Sequence, residues 1–135
     1  MSRLRDSLLR YEGIRLKPYR CTQGRLTIGI GRNLDDVGIS SEEAHLMLDN
    51  DIKRVKADAD RELIWFDALD EVRQYVVLLM LFQLGPTTFR KFRRFIRAMD
   101  RQDYEIAAKE MLASDWAKQT PARAQELAML MLRGE

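Results

Sequence analysis

The stretch Tyr11–Arg32, YEGIRLKPYRCTQGRLTIGIGR, decides how the rest of the chain is read. It changes hydrophobic period in its first few residues. Ahead of it, Leu4, Leu8 and Tyr11 recur at spacings of four and three, which puts them on one face of a short helix over Ser2–Tyr11. Gly13 follows and ends that helix. From Arg15 to Gly31, Leu16, Pro18, Leu26, Ile28 and Ile30 suit a hairpin or small sheet. The TQG tripeptide at 22–24 supplies the turn, because Gly24 takes positive φ without a Cβ clash. Gly29 and Gly31 let the backbone approach something closely.

Outward from this stretch the chain becomes helical. Ser40 and Glu43 have capping-box spacing. Ala44, Leu48, Ile52, Val55, Ala59 and Leu63 form a stripe at helical period behind them. A helix of about 24 residues, roughly 36 Å long at 1.5 Å per residue, is expected there. Tyr75–Leu84 is apolar nearly all round apart from Gln83, the pattern of a buried central helix stopped by Gly85 and Pro86. Phe89, Phe92, Ile96 and Met99 mark an amphipathic helix whose other face holds Arg90, Lys91, Arg93, Arg94 and Arg97. Ala107, Ala108, Met111 and Leu112 predict another. The last helix has Thr120 as N-cap and Pro121 at its first position. The fold class is α+β, a small N-terminal sheet followed by a larger helical bundle.

Composition narrows the function classes. The chain has 135 residues, 46% hydrophobic and 33% charged, a normal globular balance for one domain. With 23 basic and 21 acidic residues the net charge of +2 demands no nucleic-acid partner. One cysteine excludes an intramolecular disulfide, and one cysteine with one histidine cannot build a His/Cys zinc site. The N-terminus lacks the apolar core of a signal peptide, and YVVLLMLFQL at 75–84 is too short to span a bilayer. No stable membrane insertion is expected, and the chain is expected to be made and kept in the cytosol until something releases it.

Taken singly, the special residues have ordinary explanations. Glu12 is a charge at a helix end, mildly opposed by the macrodipole. Cys21 is most often a small buried hydrophobe, although a polar turn beside Arg20 favours thiolate. Thr27 is a common strand residue. The spacing changes their weight: eight residues separate Glu12 from Cys21 and five separate Cys21 from Thr27. This resembles the catalytic segment of the phage-type lysozymes, glycoside hydrolase family 24, whose pattern is glutamate, eight residues, aspartate or cysteine, five residues, threonine. EGIRLKPY, GRLTIGIG, ISSEEAHLML, ALDEVRQYVVLLMLFQLG and SDWAKQTPARA resemble further blocks of the family, in order along nearly the whole chain.

The resemblance implies a lysozyme-like fold with a cleft between two lobes joined by a long helix. The lobes would cover about residues 1–60, including that helix, and 61–135, in a single catalytic domain. It implies hydrolysis of the β-1,4 bond between N-acetylmuramic acid and N-acetylglucosamine in peptidoglycan, without cofactor or metal. Glu12 would be the general acid, a role that needs a carboxyl protonated near neutral pH. Thr27 would position water. Cys21 stands where a second acid is usual, and is read as a thiolate assisting water, a covalent nucleophile, or a partly idle replacement. Gln83, Phe82 and Arg123 would bind substrate. The matching glutamine in the family bonds to the tryptophan that is here Trp116, and the matching arginine pairs with the catalytic glutamate. Core packing is the plainer role for Phe82 and Trp116. Arg32 replaces a histidine, so the ion pair made there is open, and the short NLDDVG segment at 33–38 predicts a reduced N-terminal lobe. A monomer is expected, with a holin-type partner for release. Rival readings are a peptidoglycan-binding pseudoenzyme, a hydrolase of chitin-like oligomers, and a helical nucleic-acid module using the Arg90–Arg97 face.

Overall fold

The computed structural model describes residues 2–135, which form two compact units divided between residues 47 and 48. In the first unit, α1 spans Ser2–Glu12, followed by β1 (Arg15–Arg20), β2 (Leu26–Gly29) and β3 (Arg32–Asn33). Gly13, at φ 68°, ends α1 with its N–H on the Leu9 carbonyl. The strands make one antiparallel sheet in the order β1-β2-β3. Tyr19 pairs with Thr27 and Arg15 with Gly29, so the register slips between them. Pro18, which has no N–H to give the ladder, lies in that interval on an edge strand. The α+β class expected from the sequence is the class observed.

Helix α2 (Ser41–Glu62) crosses the division between the units. Its capping box forms as predicted: Glu43 N–H donates to Ser40 Oγ at 3.1 Å, and Ser40 N–H to Glu43 Oε1 at 2.9 Å. Glu43 also receives both Arg32 guanidinium nitrogens, at 2.8 and 2.7 Å. Arg32 NH1 reaches the Gly38 carbonyl as well. Arg32 therefore has its ion pair, with a partner at the start of α2. The buried apolar side chains among the described residues begin only at Val55, so this polar lattice is a main support of the first unit.

The Arg32 guanidinium and the Ser40 N–H hold the Glu43 carboxyl down at about 2. A carboxyl depressed in the folded state adds stability above its unfolded value, about 4.3. That stability is lost as pH falls from about 5 toward 2. Both side chains are partly exposed, so the effect is modest and screened by salt. Amide exchange in β2 and β3 is expected to accelerate between pH 5 and 3 beyond its intrinsic pH dependence. Arg32→Ala should remove most of that excess. An excess unchanged by Arg32→Ala would refute the assignment.

The second unit continues with α3 (Glu71–Phe89), α4 (Arg93–Asp100), α5 (Tyr104–Leu112), α6 (Asp115–Gln119) and α7 (Pro121–Arg133). Its core holds Met80, Met99, Met111 and Met131 around Phe89 and Phe95, whose rings meet edge-on at 5.9 Å. Gly85 breaks α3 at φ 78°, ψ 160°, where the sequence placed the stop, and Pro86 opens one further turn.

Several expectations need correction. In α2 the stripe is buried only at Val55 and Ala59, continuing at Leu63 beyond its end; Ala44, Leu48 and Ile52 are exposed. α3 is buried on one face only, because Tyr75, Leu79 and Phe82 remain on the surface. Phe89–Met99 is not one helix: Phe89 ends α3, a turn at Arg90–Phe92 intervenes, and α4 follows. Leu112 is exposed, and α6, unexpected as a helix, is capped by Ser114. Thr120 precedes α7 as predicted, but its hydroxyl donates back to the Trp116 carbonyl rather than capping.

Candidate active site

Glu12 is the last residue of α1, and its side chain is exposed. Gly31, in the turn between β2 and β3 at φ 71°, lies directly against it. A Cβ on Gly31 would stand 2.9 Å from Cγ, Cδ and Oε2 of Glu12. The close approach expected of Gly29 and Gly31 is thus made by Gly31, and its object is the Glu12 carboxyl. Gly29 has the same positive φ, but nothing lies within 4 Å of its missing side chain.

Cys21 starts the hairpin turn. Its carbonyl accepts from Gly24 N–H at 2.9 Å, and its N–H donates to the Arg25 carbonyl at 3.0 Å. Gly24 supports this tight geometry with φ 78°. The thiol is half-buried and its pKa is lowered, first by the Arg25 backbone, then by the Gln23 backbone, with a smaller contribution from the Thr27 hydroxyl. The sequence pointed to Arg20 for this effect. The Arg20 guanidinium instead bonds the Gly24 carbonyl and lies 3.6 Å from Asp35.

Thr27, on β2, is 3% exposed and is the one buried polar side chain among the described residues. Its hydroxyl donates to the Arg25 carbonyl at 2.8 Å. The single proton serves either that carbonyl or the Cys21 sulfur. In the bonded geometry Thr27 therefore offers its neighbours an accepting oxygen. The Cys21 N–H and the Thr27 hydroxyl meet on the Arg25 carbonyl, and Glu12 lies against Gly31 in the same unit.

Alkylation reads the thiol directly. The rate with iodoacetamide is expected to rise with pH to a midpoint below that of the same thiol in the unfolded chain. Removing the hydroxyl with Thr27→Val should move the midpoint only slightly, because the Arg25 and Gln23 backbone is the larger cause. A midpoint at or above that of a free thiol would contradict the environment described here.

The second unit carries a separate cluster. Gln83 Oε1 accepts from Trp116 Nε1 at 2.9 Å and from Arg123 NH1 at 2.8 Å. Trp116 is 3% exposed and belongs to the core. Gln83, which the sequence placed in a buried helix, is exposed, so its partners leave its amide nitrogen free for a ligand. Phe82 is 46% exposed, which overturns the core-packing role and leaves an aromatic surface beside Gln83.

Sequence reading missed Arg73. Its side chain donates to the Met131 and Leu132 carbonyls at 2.7 and 3.0 Å, closing the C-terminus of α7. It also pairs with Asp70 at 3.0 Å and stacks 3.7 Å from the Tyr104 ring. Gly134 packs so tightly that a Cβ there would stand 2.8 Å from Arg73 NH1. No local signal marks Arg73, because its partners lie 58 and 59 residues away.

Residues 9–134 match the family model described as phage lysozyme. A probable T4-type lysozyme 1 from Dictyostelium discoideum is 26% identical, over 99% of this chain and 96% of its own length. The endolysin of Acyrthosiphon pisum secondary endosymbiont phage 1 is 32% identical, over 81% of this chain and 73% of its own. The pre-baseplate central spike protein Gp5 of Enterobacteria phage T4 is 30% identical over 96% of this chain, which spans 27% of that protein. With nearly its whole length matched, the chain belongs to the phage lysozyme family and is a glycosidase of the lysozyme type.

Proposed function

We propose that the chain hydrolyses the β-1,4 bond between N-acetylmuramic acid and N-acetylglucosamine in bacterial peptidoglycan, as a single catalytic domain acting as a monomer. The observation that carries this reading is the first-unit arrangement: Glu12 lies against Gly31, and the Cys21 N–H and the Thr27 hydroxyl both bond the Arg25 carbonyl. Glu12 gives its proton to the leaving glycosidic oxygen as the bond to the anomeric carbon breaks. A water donates one hydrogen bond to the Cys21 sulfur and one to the Thr27 oxygen. Its lone pair then attacks the oxocarbenium-like carbon, and its proton passes to the thiolate. The lowered Cys21 pKa supports a base there, a role a neutral thiol fills poorly. Gln83, Arg123 and Phe82 bind sugar on the second unit through the free amide, the guanidinium and the exposed ring. The reading further takes the chain to be made in a host cytoplasm, released by a holin-type partner, and active at the wall.

Digestion of two polymers tests the substrate. Reducing ends are expected from purified peptidoglycan, and far fewer from chitin oligomers at equal sugar concentration. Equal or faster release from chitin would replace the substrate. Binding to peptidoglycan without release would make the chain a wall-binding scaffold.

A further inference from the structure

The second unit has a groove unused by the chemistry above. It encloses about 700 Å³ between the end of α3, α4, and the α5–α6 junction. Lys91, Arg93, Arg94 and Arg97 line it, against Glu110 and Asp115. None of the four cations has an ion-pair partner among the described residues, whereas Asp115 lies 3.7 Å from Lys118. Arg90 is excluded from the set, because Glu62 pairs with it at 3.5 Å. Fold stability does not explain three arginines within five residues all left unpaired.

Phe95, Ala98 and Met99 of α4 are buried in the core, so the exposed side chains that α4 gives the groove are Arg93, Arg94 and Arg97. The N-cap of α4, Phe92, makes no side-chain cap, so no side chain there offsets the positive end of this helix. These features add to one field favouring anions, and guanidinium forks match phosphate oxygens bidentately.

The shape narrows the anion. α4 has 8 residues, about 12 Å of helix, and the groove is concave. That suits a thin flexible chain better than a duplex. Of the aromatic side chains at the groove, Phe95 and Trp116 are buried and Phe92 is half-buried, its ring edge-on to Phe95. The lining thus offers one half-buried ring, not the row of exposed aromatics on which successive bases stack. Trp116, which lines the groove, also donates to Gln83, so the groove adjoins the Gln83 cluster.

We infer that this groove docks a phosphodiester-linked wall polymer, a polyol-phosphate chain of the kind attached to peptidoglycan, and so holds the enzyme on its substrate. The choice of wall polymer rests on the hydrolase reading; the anion site itself does not.

The test uses the full-length chain and soluble polyglycerol phosphate, with binding read by fluorescence anisotropy of labelled polymer. Binding is expected to weaken about 20- to 50-fold between 50 and 200 mM salt, as for three to four phosphate contacts on a flexible strand. The Arg93→Gln/Arg94→Gln/Arg97→Gln variant should bind at least about tenfold more weakly at 50 mM salt. A control with Lys53, Arg54 and Lys56 on α2 changed to Gln removes the same charge and should bind like wild type. Circular dichroism melts establish that both variants fold. Equal loss in the two variants would reduce the effect to net charge and overturn the groove, as would no loss in the α4 variant. Tighter binding of duplex DNA or anionic vesicles than of polyglycerol phosphate would overturn the assigned partner. Digestion of peptidoglycan stripped of its phosphate polymer keeps the two readings apart: the α4 variant should cleave it at the wild-type rate. A chain that binds the polymer yet cleaves nothing would sink the hydrolase reading alone.

Discussion

Glu12→Gln is expected to lower turnover on peptidoglycan by about 10²- to 10⁴-fold, the usual contribution of a general acid. That corresponds to about 2.7–5.5 kcal/mol of transition-state stabilisation. Glutamine keeps the shape of the side chain and its packing against Gly31, but it has no proton to give the leaving oxygen. The substitution also removes a carboxylate from the C-terminal end of α1, where it opposes the helix dipole. Thermal stability should therefore hold or rise while activity collapses. Turbidity loss of purified walls and a thermal melt, measured on the same preparation, separate the two effects. Retention of more than a tenth of wild-type turnover would remove Glu12 from the chemistry.

Gly31→Ala should also damage the enzyme, by a different route. The new Cβ would stand 2.9 Å from three atoms of the Glu12 side chain. Those atoms end a flexible, exposed chain, so Glu12 relieves the clash by swinging away. Its carboxyl then leaves its place, and a displacement near 1 Å costs on the order of 10²-fold in rate. Alanine at φ 71° adds about 1–2 kcal/mol of backbone strain. Gly29→Ala is the matched comparison, because it has the same φ and open space around the missing side chain. Both variants should lose similar stability, while Gly31→Ala loses far more kcat/KM. Equal activity losses would mean that strain in the sheet, and not the position of Glu12, accounts for the effect.

How much of this was legible before the fold was known depends on the range of the interaction. The α1 stop at Gly13, the turn at Gly24, the Ser40–Glu43 box and the break at Gly85 are set by residues within a few positions, and each was readable. Exposure along α2 and α3 was not. Leu48, Ile52, Leu79 and Phe82 fit a helical stripe, yet burial depends on what packs opposite, which periodicity does not record. The turn at Arg90–Phe92 hid inside a run whose apolar residues keep helical spacing across it. In the candidate site, the Glu12, Cys21 and Thr27 spacing singled out three residues, and the Gly31 contact needed coordinates. So did the source of the lowered Cys21 pKa, which lies in backbone dipoles that no neighbouring residue type announces.

The Gln83 cluster shows the same division. Its polarity against an apolar run marked it, and the tryptophan partner followed from family resemblance. The arginine partner came only with the fold, 40 residues away. One acceptor oxygen now serves two donors, so Gln83 orients both Trp116 and Arg123 at once.

The most direct test of the central claim is the identity of the sugar left at the cut. Purified peptidoglycan digested by the wild-type chain would be reduced with borohydride, hydrolysed, and analysed by mass for its sugar alcohols. Cleavage as proposed leaves N-acetylmuramic acid at each new reducing end, so muramitol should accumulate with digestion. Accumulation of glucosaminitol instead, or no new sugar alcohol while the walls are bound, would contradict the account.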